Sequence, residues 1–187
     1  MPAEIARTER LVLRRWRASD RQPFAAMNAD PRVMEFFPAM LSTEESDRLV
    51  DRIEAHFEES GFGPCAVELI EDGSFLGYVG LAIPRFTAHF TPCVEIGWRI
   101  APSYWNRGFA TEAAREIIRQ AFEVHRIEEL VSFTSSGNFR SRRVMEKLGM
   151  THDSAEDFDH PGIAAGHPLQ RHVLYRLRRG AGSTVRQ

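Results

Sequence analysis

The chemistry-bearing part of this chain centres on Tyr104-Trp105-Asn106-Arg107-Gly108-Phe109-Ala110-Thr111-Glu112-Ala113. An apolar run, Val94 to Ile100, leads into this stretch, and Ala110, Ala113, Ala114, Ile117, Ile118, Ala121 and Phe122 lead out of it at helical spacing. A strand-to-helix turn leaves the first amides of the helix unpaired at the positive end of its dipole, so the turn can hold an anion. Gly108 lets the backbone approach a ligand, Arg107 adds a charge suited to phosphate, and Thr111 adds a hydroxyl in the first turn. Neither G-x-x-x-x-G-K-[ST] nor G-x-G-x-x-G occurs at a strand-to-helix junction, which removes the signatures of ATP and NAD.

Trp105-Asn106-Arg107-Gly108-Phe109-Ala110 resembles the [RQ]-x-x-G-x-[GA] acyl-CoA loop of the GNAT N-acetyltransferase superfamily, with Trp105 where many members have Arg or Gln. The extended form, Tyr-Trp-x-x-Gly-aromatic-Ala-Thr-Glu-Ala, resembles the branch containing the ribosomal-protein N-terminal acetyltransferases. A second block, Asn138 to Met150, resembles the N-x-x-S-x-x-x-x-x-K-x-G-[FM] segment of the same family. With the opening Glu9-Arg10-Leu11-Val12-Leu13-Arg14, the resemblance spans roughly residues 8 to 177. It implies acetyl-CoA as acyl donor and a primary amine as acceptor: a peptide or protein N-terminus, or a small molecule such as a polyamine or aminoglycoside. A non-catalytic acyl-CoA sensor is the alternative from another class.

Acetyl transfer to an amine needs an extended thioester, a neutral amine, and a donor for the departing thiolate. The resemblance implies that backbone groups at Arg99, Ile100 and Ala101 pair with the pantetheine arm. It also implies that Arg107, Gly108, Phe109, Ala110 and Thr111 hold the phosphates, with Asn138 and Ser141 at the sulfur end. Ser141 could then serve the thiolate, although Asn and Ser in a first turn are also ordinary caps. Glu95, on the strand entering the loop, is the candidate base; its competing reading is an ion pair on the sheet surface. An α-amine, with a pKa of about 8, asks less of a base than a lysine side chain at about 10.4.

The elements that must position these residues follow from periodicity and punctuation. Alternation from Arg10 to Arg17 predicts a half-buried strand, and Ser19-Asp20 opens a short helix ending at Asp30-Pro31. Met34 to Pro38 reads as an apolar plug or as a wall of the acceptor pocket. Ser42-Thr43-Glu44-Glu45 is a capping box for a helix with Leu49, Ile53, His56 and Phe57 inward, ending at Ser60-Gly61. Cys65–Ile70 and Phe75–Ile83 form a hairpin through Asp72-Gly73, and Leu130–Thr134 is a further strand. A helix runs from Phe139 to Leu148, capped by Asn138. A last hairpin joins Thr151–Phe158 to His172–Leu177. The expected fold is α/β (α+β): a mixed, mostly antiparallel sheet of about seven strands flanked by helices, as one domain over 1–179 with a flexible tail at 180–187.

Composition narrows the rest. A net charge of -2 gives no case for nucleic acid, and no apolar run reaches the roughly 20 residues of a membrane span. A cytoplasmic protein, monomer or homodimer, is expected. Cys65 and Cys93 lack CxxC spacing, and His152, Asp153, His160, His167 and His172 match no common ligand pattern, so no metal is expected. The acidic face Glu44, Asp47, Asp51, Glu54, Glu58 reads as a solvated surface or as one that draws cationic substrates, and the run Asp153, Glu156, Asp157, Asp159 as a solvated loop or as an acceptor entrance favouring a cationic substrate.

Overall fold

A computed structural model describes residues 3–180. The expected tail therefore lies, from residue 181 on, outside the described residues. Nine strands share one sheet: β1 (Glu4–Arg7), β2 (Leu11–Arg14), β3 (Pro64–Leu69), β4 (Phe75–Ala82), β5 (Glu95–Ile100), β6 (Glu129–Ser135), β7 (Thr151–His152), β8 (Phe158–Asp159) and β9 (Arg171–Arg178). Four helices accompany them: α1 (Arg21–Asn28), α2 (Thr43–Ser60), α3 (Phe109–Glu123) and α4 (Phe139–Lys147). The strand order is β1-β2-β3-β4-β5-β6-β9-β7, with β8 beside β7 on β9. Every pairing is antiparallel except β5 with β6.

Local chemistry accounts for most element ends. Ser42 Oγ accepts the Glu45 amide at 3.2 Å while Glu45 Oε2 accepts the Ser42 amide at 2.8 Å, so α2 starts on a complete capping box. Its C-terminus passes through Gly61 at φ 74°, the left-handed region that ends helices without a Cβ penalty. Between β3 and β4, Asp72 Oδ1 accepts the Ser74 amide and closes the hairpin turn. The stripe on α3 buries Ala113, Ala114, Ile117 and Ala121 against the sheet.

Three expectations change. β1 was not foreseen, because four residues with charged Glu4 and Arg7 at the ends carry little pattern. β2 is shorter than the predicted Arg10–Arg17 strand and is buried at all four residues rather than alternately: α3 packs against it, and Arg14 is enclosed by its pairs with Asp20 and Glu68. The late hairpin is broken: β7 and β8 are two residues each, separated by a 3-10 turn at Ser154–Glu156, and both pair with the long β9. No described helix is long and apolar enough to cross a membrane.

Candidate active site

The two parallel strands meet only at Glu95 opposite Val131, where the Val131 amide donates to Val94 O at 2.9 Å. Beyond that pair the sheet opens into a cleft of about 570 Å³. Its walls are Gly97 to Ile100 of β5, Ser132 to Thr134 of β6, and the first turns of α3 and α4. Phe36, Phe37 and Pro38 of the α1–α2 loop cover one side, so the apolar segment is a wall of the pocket as well as a plug through buried Met34. His160, Gly162 and Ile163 of the β8–β9 loop close another.

Backbone polarity along β5 decides which groups face the opening. The Ala101 amide donates to Leu76 O at 2.8 Å, and a Cβ on Gly77 would meet Arg99 O at 2.0 Å, so Ala101 and Arg99 turn their backbones toward β4. Alternation then turns Trp98 and Ile100 toward the cleft, with Ile100 O accepting Trp105 Nε1 at 2.6 Å. Of the expected pantetheine partners Arg99, Ile100 and Ala101, Ile100 alone turns its backbone to the opening. Trp98 and Ile100 offer backbone to the opening; Arg99 offers its side chain, and Ala101 is committed to the sheet.

At the start of α3 the anion geometry is in place. Gly108 is the N-cap at φ 82°, no side chain caps the helix, and the first bond of the ladder runs from the Glu112 amide to Gly108 O. The amides of Phe109, Ala110 and Thr111 therefore have no helical partner. The turn is held from outside: Arg10 donates to Glu112 Oε2 at 2.7 Å and to Arg107 O at 3.2 Å, and its guanidinium sits 4.4 Å over the Phe109 ring. Arg107 is exposed, does not line the cleft, and stacks on Phe109 at 4.9 Å. The cations that do line the cleft are Arg143 and Lys147 from α4, together with Arg32, Arg99 and Arg140. Lys147 is the lysine of the second motif; Arg143 could have been joined to it from the sequence, since the two stand four residues apart on one face of α4 with Arg140.

Asn138 Oδ1 accepts the Ser141 amide at 3.2 Å, and its Nδ2 donates to Thr134 Oγ1 at 2.9 Å. The cap is thereby locked to β6, while Ser141 Oγ keeps no protein partner and lines the cleft. Glu95 lines the cleft near the strand junction. It has no ion-pair partner among the described residues, so the ion-pair reading is set aside. Burial pushes its carboxyl from 4.5 up to about 8, because no charge or donor nearby favours the ionised form.

His160 and His172 stand 5.0 Å apart, ring to ring, at the edge of an aromatic cluster with Phe86, Phe133 and Phe158. Desolvation holds both below the usual imidazole range. His152 instead pairs with Asp157 and stacks on Tyr175. Cys65 and Cys93 are free thiols pushed up by desolvation to about 12 and about 11.

Most of the acidic residues are paired; among the described residues Glu44 and Asp153 meet no cation, and Asp157 meets only His152. Arg15 pairs with Glu54 and Glu58, and Arg21 with Asp47 and Asp51. Arg176 holds Glu156, and Arg171 meets Asp159 at 3.4 Å. The expected negative entrance is thus partly neutralised, and among the described residues Glu95 is the only carboxylate on the cleft wall. Of the cleft's cations, Arg32 is paired with Asp30 and Arg140 with Glu35, which leaves Arg99, Arg143 and Lys147 as its excess positive charge.

Residues 10–151 match the family described as "Acetyltransferase (GNAT) domain". The chain is 29% identical over 144 residues to the uncharacterized N-acetyltransferase YnaD of Bacillus subtilis (strain 168), covering 76% of this chain and 80% of that one. It is 36% identical over 103 residues to FsC-acetyl coenzyme A-N(2)-transacetylase of Aspergillus fumigatus, covering 51% and 44%. The structure superposes on the acetyltransferase of Agrobacterium tumefaciens with TM-score 0.74 at 27% identity, covering 93% and 94%. With Mycobacterium smegmatis RimJ in complex with CoA-disulfide it shares the fold, at TM-score 0.71 and 18% identity, covering 90% and 81%. With the opened sheet, the uncapped glycine turn and the match over residues 10–151, the chain belongs to the GNAT family of N-acetyltransferases.

Proposed function

We propose that this protein moves the acetyl group of acetyl-CoA to a primary amine by direct attack, with donor and acceptor held together in the cleft. The observation that carries this reading is the opening between β5 and β6, which runs from the free amides of α3 to Glu95 and Ser141. The amides behind Gly108 suit the pyrophosphate, and Arg143 and Lys147 supply countercharge. Backbone groups of Trp98 and Ile100 are the available partners for the pantetheine amides.

In this reading Glu95 takes the proton from the ammonium acceptor, the amine nitrogen forms a bond to the acetyl carbon, and the C–S bond breaks. The second proton leaves the nitrogen as the amide forms and ends on the departing sulfur, where Ser141 Oγ donates the hydrogen bond that steadies the developing charge. Burial raises the Glu95 carboxyl toward the range of an amine, which makes it a stronger base than an exposed carboxylate and brings it nearer to an α-amine at about 8 than to a lysine at about 10.4. The match favours an α-amine acceptor. The cationic wall disfavours polyamines and aminoglycosides, which bring several positive charges.

The experiment is calorimetry with acetyl-CoA followed by thiol release against peptide N-termini, amino acids, polyamines and aminoglycosides. Binding with no turnover on any amine would replace this reading with an acyl-CoA sensor. No binding would remove both.

A further inference from the structure

Two guanidinium groups are buried among the described residues, Arg14 and Arg99. Arg14 has the partners that an enclosed cation needs: both Nη atoms donate to Asp20, at 2.7 and 2.9 Å, and Nε donates to Glu68 at 2.8 Å. Arg99 is 8% exposed and meets no carboxylate among the described residues. Its Nη1 donates to Asn28 Oδ1, a neutral amide oriented by Ser46. Nε is buried without an acceptor, and Nη2 donates to no described protein atom.

Aromatic rings fix the plane of this group without neutralising it. Phe37 lies 4.1 Å from the guanidinium carbon, with Tyr78 at 5.6 Å and Phe24 at 5.9 Å. The free edge is the one that carries Nε and Nη2, whose spacing accepts both oxygens of a carboxylate. Arg99 lines the cleft, so a carboxylate there could meet Nη2, while the buried Nε is the donor it would complete. Arg99 also lies on the same face of β5 as Glu95, two alternations away, with only Gly97 between them on that face.

We propose that Arg99 is the acceptor-specificity residue, receiving a carboxylate carried by the amine substrate, so that the acceptor is a carboxylate-bearing amine of the amino-acid or short-peptide class. This rests on the acetyl-transfer reading of the cleft and names the acceptor for it. An uncompensated buried cation is costly in the empty protein, and the substrate's own charge supplies what the fold withholds. A polycation would meet Arg99 with repulsion.

The test compares matched acceptors, dialanine with dialanine amide and 4-aminobutyrate with its amide, on the parent and on Arg99→Met. The amino acid and peptide arms separate the two sources of carboxylate. Expected for the parent is a preference for the acid over the amide in kcat/KM, carried by KM. In Arg99→Met that preference falls by about ten- to hundred-fold, the size of a lost charge-assisted hydrogen-bond pair. Arg99→Met should fold at least as stably as the parent, since an unpaired buried charge is gone. As a readout independent of turnover, N-acetyl-dialanine should bind the CoA-loaded parent by calorimetry and lose affinity in the variant. Equal use of acids and amides by the parent, with transfer intact, would overturn the proposal and leave the acetyltransferase reading standing. Carboxylate binding lost in Arg99→Met from a protein that transfers to no amine would keep Arg99 and remove that reading instead.

Discussion

Glu95 gives a prediction that needs no acceptor. A carboxyl raised from 4.5 to about 8 by folding holds a proton between those pH values that the unfolded chain has released. Stability must therefore fall as pH rises across that window. At about 1.36 kcal/mol per pH unit, the full loss between 4.5 and about 8 comes to about 5 kcal/mol. Glu95 borders an open cleft, and water there reduces the figure to about 2–3 kcal/mol. Glu95→Gln replaces the neutral carboxyl with a neutral group of the same shape and cannot ionise. Below pH 4.5 the variant and the parent should agree within about 0.5 kcal/mol; above pH 8 the variant should be the more stable by the amount just given. Urea unfolding at pH 4.5, 6, 7.5 and 9 reads this directly, as midpoints that diverge with pH while the slope stays constant. A difference that does not change with pH would refute the desolvated carboxyl. The rate reads the same ionisation: parent turnover should climb as pH rises through about 8, where Glu95 loses its own proton and can serve as the base, and Glu95→Gln should fall behind the parent across that rise.

Gly108→Val should abolish most acetyl-CoA affinity by calorimetry, because a β-branched residue at φ 82° is strained and its side chain points at Arg10, and Gly108→Ala should cost about 1 kcal/mol of stability. Unchanged affinity in the valine variant would remove the phosphate assignment. Arg107→Ala should cost little, and only at low salt, since that side chain is exposed and stands outside the cleft. Ser141→Ala should lower turnover by about ten- to ten-thousand-fold at every pH while leaving acetyl-CoA affinity near the parent value; recovery at alkaline pH would contradict a role at the sulfur. A double Cys65→Ala, Cys93→Ala variant should keep turnover, because thiols at about 12 and about 11 supply almost no thiolate at pH 7; acetyl-cysteine found by mass spectrometry during turnover would contradict direct attack.

What the sequence determined by itself is the set of features whose causes are local. The α3 stripe, the Ser42–Glu45 capping box, the Asn138 cap, the Asp72-Gly73 turn and the glycine turn at Gly108 each depend on residues within a few positions of one another, so their spacing carries them. Short strands were lost for the same reason: β7 and β8, two residues each, exist because β9 offers a ladder. Tertiary structure decided the electrostatics. Glu156 and Glu129 reach Arg176 across 20 and 47 positions, and Glu54 and Glu58 reach Arg15 across 39 and 43. An acidic run in the sequence thereby became a neutral surface. The same long-range packing left Arg99 without a carboxylate, desolvated Glu95, and parted β5 from β6, because burial and ion pairing are settled by which distant segments meet.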